Sequence, residues 1–333
     1  MSIRQTLTIL CFAVFLQPLA GASTYNTFNM PGSCSPSGTA TGINRWGSVT
    51  GFYQPCGGGT IQGFLYPSTG LITTILVSGS WGTYPMSISG AGSVVGYYVE
   101  PNGSYHGFLR NPKIVTIDVP GAGTINDQGT KALSINEAGE IAGIYFDSNS
   151  VEHGFIRDTQ GSYTSFDVPG ADEVTGAWLN ESGQIAGNYT IGLVSHGYIM
   201  QTDGTITTFD PPESTSTYVA GINSSGEMAG YYMVGEAIDG FTSDQYGNIT
   251  TFNVSGLAYT AGIEDNGNVV GAYKSAARYH GWKETDAGDL TYFSDPAAAG
   301  GYGTLPACVS GNSKVAGSYY DSSGNPHNFV MTN

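Results

Sequence analysis

Short apolar runs alternating with small or polar residues recur along the whole chain, each bounded by glycine, asparagine or proline. That alternation, with turn residues at regular intervals, is the pattern of half-buried strands rather than of helices. Its clearest mark is Val/Ile/Met-Ala/Val/Thr-Gly-x-Tyr, found at Val49-Tyr53, Val94-Tyr98, Ile141-Tyr145, Ile185-Tyr189, Met228-Tyr232, Val269-Tyr273 and Val315-Tyr319. The central glycines, Gly51, Gly96, Gly143, Gly187, Gly230, Gly271 and Gly317, are spaced by 45, 47, 44, 43, 41 and 46 residues. Repeats of that length match the blades of a propeller.

Each repeat resolves into four predicted strands. In the third repeat the first is Ala132-Asn136, closed by the turn Asn136-Glu137-Ala138-Gly139, and the second is Ile141-Phe146. His153-Arg157 is the third and Tyr163-Val168 the fourth, with Asp158-Gly161 as the hairpin between them and Pro169-Gly170 as the exit. An asparagine closes such a turn on the backbone and the glycine takes the left-handed position. The chain opens after residue 22 with a lone fourth strand, Tyr25-Gly32, and stops at His327-Val330, a third strand without its fourth. Each end supplies what the other lacks, and pairing them removes an exposed sheet edge. A linear array would need capping repeats. The expectation is an all-β, seven-bladed β-propeller of four-stranded antiparallel blades, its last blade closed by pairing the N- and C-terminal strands, in a single domain over residues 23–333.

Composition agrees. The 333 residues include 50 glycines and 22 tyrosines, with only 11% charged side chains. Glycine is costly inside helices, and 40% hydrophobic residues are enough to build a core. The net charge of -16 repels nucleic acid and anionic lipid. Residues 1–22 read as a secretory signal peptide: Arg4, an apolar stretch over Thr6 to Leu16, and the small-residue cleavage site Ala20-Gly21-Ala22. Secretion, to the periplasm or outside the cell, follows as the expectation, with no membrane insertion.

The recurring Ile-Asn-x-x-Gly-x-Ile/Val-x-Gly-x-Tyr, followed by His-Gly-Phe and Thr-x-Phe-Asp-x-Pro-Gly-Ala, resembles the bacterial extracellular repeats of the HAF family. That family takes its name from His-Ala-Phe, whereas this chain carries glycine at the middle position. The resemblance implies secretion and a propeller-like repeat, and it implies no activity.

All five histidines, His106, His153, His196, His280 and His327, share one repeat position, which Gln62 and Asp239 fill in the other two repeats. Separated by a repeat or more, they make poor metal ligands. They are expected to act as structural groups that hydrogen-bond across strands or between blades. Nucleophile-elbow and phosphate-loop motifs are absent from the sequence. The loop Asp147-Glu152 is rich in oxygen but lacks the sixth-position glycine of a calcium-binding EF-hand loop. Neither a metal nor a cofactor is expected.

Loops joining second to third and fourth to first strands are long and variable, for example Gly121-Lys131 and Ala297-Leu305. Both classes fall on one face, where binding function usually concentrates. Trp81, Tyr84, Trp178, Tyr218, Tyr259 and Tyr302 lie there, with the carboxylates Asp127, Asp172, Glu173 and Glu213. A disulfide is expected between Cys34 and Cys56, whose loops adjoin, leaving Cys308 as a buried thiol. The expected function is a non-enzymatic, monomeric scaffold that recognises a glycan or a cell-surface protein. The alternative is a carbohydrate-active hydrolase or lyase using loop carboxylates.

Overall fold

The computed structural model describes residues 23–33, 38–254, 257–275, 278–298 and 303–332. The predicted signal peptide, Cys34 and Tyr302 lie outside these described residues. What is described is all-β, and its strands run in chain order as antiparallel meanders from a first, inner strand to a fourth, outer one.

Four sheets are regular and four-stranded. One holds β2 (Thr39–Ile43), β3 (Val49–Tyr53), β4 (Gln62–Tyr66) and β5 (Thr73–Ile75). The next two hold β19 (Ser216–Ile222) to β22 (Ile249–Phe252) and β23 (Leu257–Ile263) to β26 (Leu290–Phe293). Between their ends lie β20 (Met228–Val234), β21 (Ala237–Ser243), β24 (Val269–Ser275) and β25 (Arg278–Glu284). The fourth joins the two ends of the chain: β1 (Thr24–Phe28) pairs antiparallel with β29 (Pro326–Thr332), which continues to β28 (Lys314–Tyr320) and β27 (Thr304–Val309). Their register runs from Thr24 opposite Thr332 to Phe28 opposite Asn328.

The expectation of seven like blades is corrected by the remaining strands. A five-stranded sheet carries a broken inner strand, β14 (Glu173–Val174) and β15 (Trp178–Leu179), against β16 (Ile185–Ile191), β17 (Val194–Met200) and β18 (Ile206–Phe209). The second and third repeat units share a single eight-stranded sheet, β6 (Gly82–Ile88), β7 (Val94–Val99), β8 (Tyr105–Arg110) and β9 (Ile114–Ile117) with β10 (Gly129–Ile135), β11 (Ile141–Phe146), β12 (Glu152–Arg157) and β13 (Tyr163–Phe166). The chain therefore forms five discrete blades and one double sheet. The fusion is a parallel pairing of Gly129 with Tyr105. Only glycine allows it: Gly129 has φ +118°, and a Cβ there would collide with the Tyr105 carbonyl. Isolated parallel bridges, Ile61 with Gly82 and Tyr279 with Gly303, link other neighbours without merging their sheets. Part of the predicted loop Gly121-Lys131 is thus strand, since β10 begins at Gly129.

The glycine that marks each repeat has a steric cause. Inner strands carry a bulge, for example between Ala132 and Ser134, which turns a carbonyl onto the second strand. A Cβ on Gly143 would strike the Lys131 carbonyl, one on Gly96 that of Tyr84, and one on Gly271 that of Tyr259.

Apolar side chains gather between successive units rather than within one. Phe155 and Ile141 pack with Val95 and Ile117, and Phe329 and Val315 with Val270. Cys308 and Val330 join Phe64 and Val49, which carries the core across the junction of the chain ends and the first unit. The arrangement places all the inner strands around one axis.

Candidate functional site

A cavity of about 540 Å³ lies on that axis, walled by inner strands from every unit, β2, β6, β10, β15, β19, β23 and β27. Among the described residues its lining contains no charged side chain. Aromatic wall comes from Trp178, Tyr218 and Tyr231, and polar wall from Ser87, Ser134 and Asn188. Tyr218 stacks on Tyr231 with ring centroids 4.9 Å apart. Tyr259, 41% exposed, meets Tyr231 edge-on at 5.6 Å. Burial pushes the Tyr231 hydroxyl above its ordinary pKa, with Tyr218 and Tyr259 adding to the effect.

Trp178 is the exceptional residue of this wall. It pairs with Ala186, as Gly42 pairs with Thr50, Ser87 with Val95, Ser134 with Ala142, Gly221 with Ala229, Gly262 with Val270 and Cys308 with Ala316. A tryptophan thus stands where the other units hold glycine, serine or cysteine. The polar wall is held in place by bonds between units. Ser87 Oγ accepts from Ile135 N at 3.4 Å, Ser134 Oγ from Leu179 N at 3.1 Å, and Asn188 Oδ1 from Val219 N at 2.8 Å. Each serine hydroxyl, having accepted, keeps its proton to donate.

A second group of perturbed residues lies where the second- and third-unit loops meet. The Lys131 ammonium sits 3.9 Å from the ring centroid of Tyr105, 4.9 Å from Phe146 and 5.6 Å from Tyr97, a cation–π arrangement. Burial lowers its pKa, and Glu152 and Asp127 oppose that shift. Tyr105 Oη donates to Asp127 Oδ1 at 3.1 Å, and Asp127 itself holds φ +61°. Tyr97 is pushed up to about 12 by burial and by Tyr84 and Tyr105. Tyr84 stacks on Tyr97 at 5.0 Å.

Glu152 begins β12 and is only 7% exposed. Burial, reinforced by the Glu173 carboxylate and opposed by Lys131, raises its pKa to about 7. It opens onto a cavity of about 320 Å³ whose wall also includes His153, Asp167, Asp172 and Glu173. Asp172 Oδ2 accepts from Gly192 N at 2.6 Å.

The five histidines share one geometry. His153 stacks on Tyr145 at 5.0 Å and binds Asp167 Oδ1 through Nδ1 at 2.7 Å. His106 does the same with Tyr98 and Asp118, and His196 with Tyr189 and Asp210. His280 uses Tyr273 and Ser294, and His327 uses Tyr319 and Asn29. These bonds tie the third strand to the end of the fourth strand of the same unit, and the rings are half-buried. At the two positions without histidine, Tyr53 donates to Gln62 at 2.8 Å and Asn253 bonds Asp239. Among the described residues no three His, Cys, Asp or Glu side chains converge on a metal-sized space. The oxygen-rich loop uses Asp147 on its own turn, accepting from Asn149 N and Val151 N.

Of the predicted ligand-binding residues, Trp178, Tyr218 and Tyr259 gather at the axis, Tyr84 and Asp127 at the Lys131 group, and Asp172 and Glu173 at the Glu152 cavity. Trp81 stands apart, 60% exposed, and Glu213 is exposed. Lys131, Glu152, Asn188 and Tyr231 were not among the residues predicted from the sequence. The signal for two of them is visible once repeats are aligned. Glu152 precedes its histidine where other units have Ile61, Tyr105, Ser195, Ile238, Tyr279 and Pro326. Lys131 stands where the strand carbonyl facing the marker glycine belongs elsewhere to Thr39, Tyr84, Gly176, Tyr218, Tyr259 and Leu305. Cys308 is a buried free thiol, raised to about 12 chiefly by burial. Near Cys56, Ser33 bridges Pro55 and Cys56 N donates to Gly32 O at 3.0 Å.

No protein-family model matches the chain, and no curated protein matches it. Solved propellers do. A streptogramin B lyase superposes with TM-score 0.60 at 11% identity, over 93% of this chain and 98% of that one. The β-propeller domain of the Trilobed protease from Pyrococcus furiosus gives 0.60 at 10%, over 89% and 96%. The BP39L lectin from Burkholderia pseudomallei gives 0.54 at 11%, over 88% and 93%. At such identity these likenesses establish the β-propeller fold and nothing of the chemistry.

Proposed function

We propose that this protein is an exported binding propeller that takes a neutral sugar in its axial cavity. The observation that carries the reading is the cavity wall itself: uncharged, with Trp178, Tyr218 and Tyr231 as flat apolar surface and Ser87 and Ser134 as held donors. A few fixed polar groups in an aromatic cavity suit an uncharged, hydroxyl-rich ring better than an ion. The wall offers no carboxyl, imidazole or amino group to move a proton, so binding without turnover is the reading for this site. The site lies beside the inner-strand ends rather than among the long loops.

Membership of the HAF repeats, export through residues 1–22 and a Cys34–Cys56 disulfide belong to the same reading. The bridge is supported by the Ser33–Pro55 contact, which lays the two loops side by side, and by Cys308 being free. A cell-surface glycan is the partner this combination favours.

The test is a glycan array followed by calorimetry on the best neutral ligand, with Trp178→Ala and Tyr218→Ala beside the unaltered protein. Each variant should lose about tenfold or more in affinity while melting as a folded protein. Unchanged affinity in both removes the axial cavity as the site.

A further inference from the structure

The cavity beside Glu152 is independent of the axial one and calls for an occupant of opposite character. It lies between the third and fourth repeat units, with Glu152, Asp167, Asp172, Glu173 and His153 on its wall and the backbone of Pro169 to Ala171 closing one side. Three of the carboxyl groups are spoken for or open to water. Asp167 is bound to His153, Asp172 takes the Gly192 amide, and Glu173 is exposed.

Glu152 is different. It is more than nine-tenths buried, and its carboxyl opens onto the cavity instead of pairing with a neighbouring side chain. Lys131 is near enough to oppose its rise in pKa, yet the Lys131 ammonium faces the rings of Tyr105, Phe146 and Tyr97 instead. A carboxylate held mostly out of water beside a second carboxylate is costly. In the other repeats this position holds isoleucine, tyrosine, serine or proline, none of which carries that cost.

We propose that this cavity binds the primary ammonium group of a small ligand, with Glu152 as the buried anionic partner and Glu173 as the second carboxylate. An ammonium supplies three donors and one positive charge, which satisfies Glu152 and relieves its repulsion with Glu173. The volume of about 320 Å³ accepts an amino sugar or the end of a lysine side chain.

Binding should favour the ionised Glu152. As pH falls through about 7 that carboxyl gains its proton and loses the charge that holds the ammonium. The neighbours Lys131, His153, Asp167, Asp172 and Glu173 remain in place around it.

Calorimetry on the full chain tests this with two pairs of probes: glucosamine against N-acetylglucosamine, and Nα-acetyl-lysine amide against Nα-acetyl-glutamine amide. The lysine probe keeps its charge from pH 6 to pH 8. Its affinity should rise about tenfold over that range, with a proton released on binding near pH 7, and the neutral partner of each pair should not bind. Glu152→Gln should abolish binding, and Glu173→Gln should weaken it several-fold while melting as the unaltered protein does. Tighter binding of glucosamine than of the lysine probe assigns an amino sugar as source, and the reverse a basic side chain. Absence of ammonium binding, equal binding of the neutral partners, or full affinity in both variants overturns the site and leaves the axial reading untouched.

Discussion

The side-chain amide of Asn180 donates to the backbone carbonyl of Asn223, 3.0 Å away, the residue at the same place in the next repeat. Asn44 reaches Ser89 O at 3.0 Å, Asn136 reaches Asn180 O at 3.4 Å, and Asn223 reaches Glu264 O at 3.1 Å. Asn312, two residues beyond the turn residue Ser310, reaches Arg45 O at 2.9 Å. The turn asparagine therefore does two things: its Oδ1 closes its own hairpin, and its Nδ2 ties one unit to the next. Asn180→Ala should cost about 1–3 kcal/mol in chemical denaturation, because it takes the acceptor from the buried Gln184 N–H as well as losing the bond to Asn223 O. A loss below a few tenths of a kcal/mol would show that this link between units carries no stability.

Replacing His153 tests the staple within a unit. His153→Ala removes the bond to Asp167 and the stacking on Tyr145, and should lower stability by about 1 kcal/mol. His153→Gln should recover part of it, since Gln62 already meets Tyr53 at the equivalent place. Sugar binding at the axis should survive both changes. Equal melting of all three proteins would contradict the staple.

Glu152 sets a pH dependence of known sign. Its folded pKa of about 7 lies above the ordinary 4.5, so the folded chain holds this proton where the unfolded chain releases it. Stability from this group is full below pH 4.5 and is lost as pH rises to about 7, by about 3 kcal/mol. Glu152→Gln should erase that decline. Parallel pH–stability curves for the two proteins would refute the assignment.

Gly143→Ala forces a methyl group against the Lys131 carbonyl and the Phe155 ring. Overpacking of this kind costs about 1–3 kcal/mol. The half-buried turn glycine Gly139, at φ +91° with nothing near its Cβ position, should lose less on the same substitution. Thermal melts of the two variants give the comparison.

Cys308 is buried and its thiol is raised to about 12. Labelling by a thiol reagent at pH 8 should wait for unfolding, because the thiolate is scarce and shielded. Rapid labelling of the native protein at Cys308 would place that strand at the surface.

Much of the architecture is legible in the sequence for a local reason. A turn needs its asparagine and glycine, and a bulged strand needs a glycine opposite it, so Asn136, Gly139 and Gly143 announce themselves wherever the repeat recurs. Strand positions follow closely, as Ile141–Phe146 shows. The candidate sites were harder to read. Trp178 looks like any loop-flanking aromatic until its partner Ala186 shows that it occupies a position kept small elsewhere. Lys131 was read as the end of a loop, yet it is a strand residue whose ammonium is enclosed by rings from two units.

Alternation, turn residues and repeat spacing by themselves determined an all-β ring of meanders and the shared position of the five histidines, because those properties depend on neighbours within a few residues. The grouping of strands into sheets was decided only in three dimensions. Two adjacent units merge where the third strand of one pairs with the start of the next inner strand, as at Tyr105 and Gly129, and no local pattern encodes that pairing. The same holds for charge. Glu152 is an ordinary acid in the sequence, and its raised pKa arises from burial beside Glu173, which another strand brings to it.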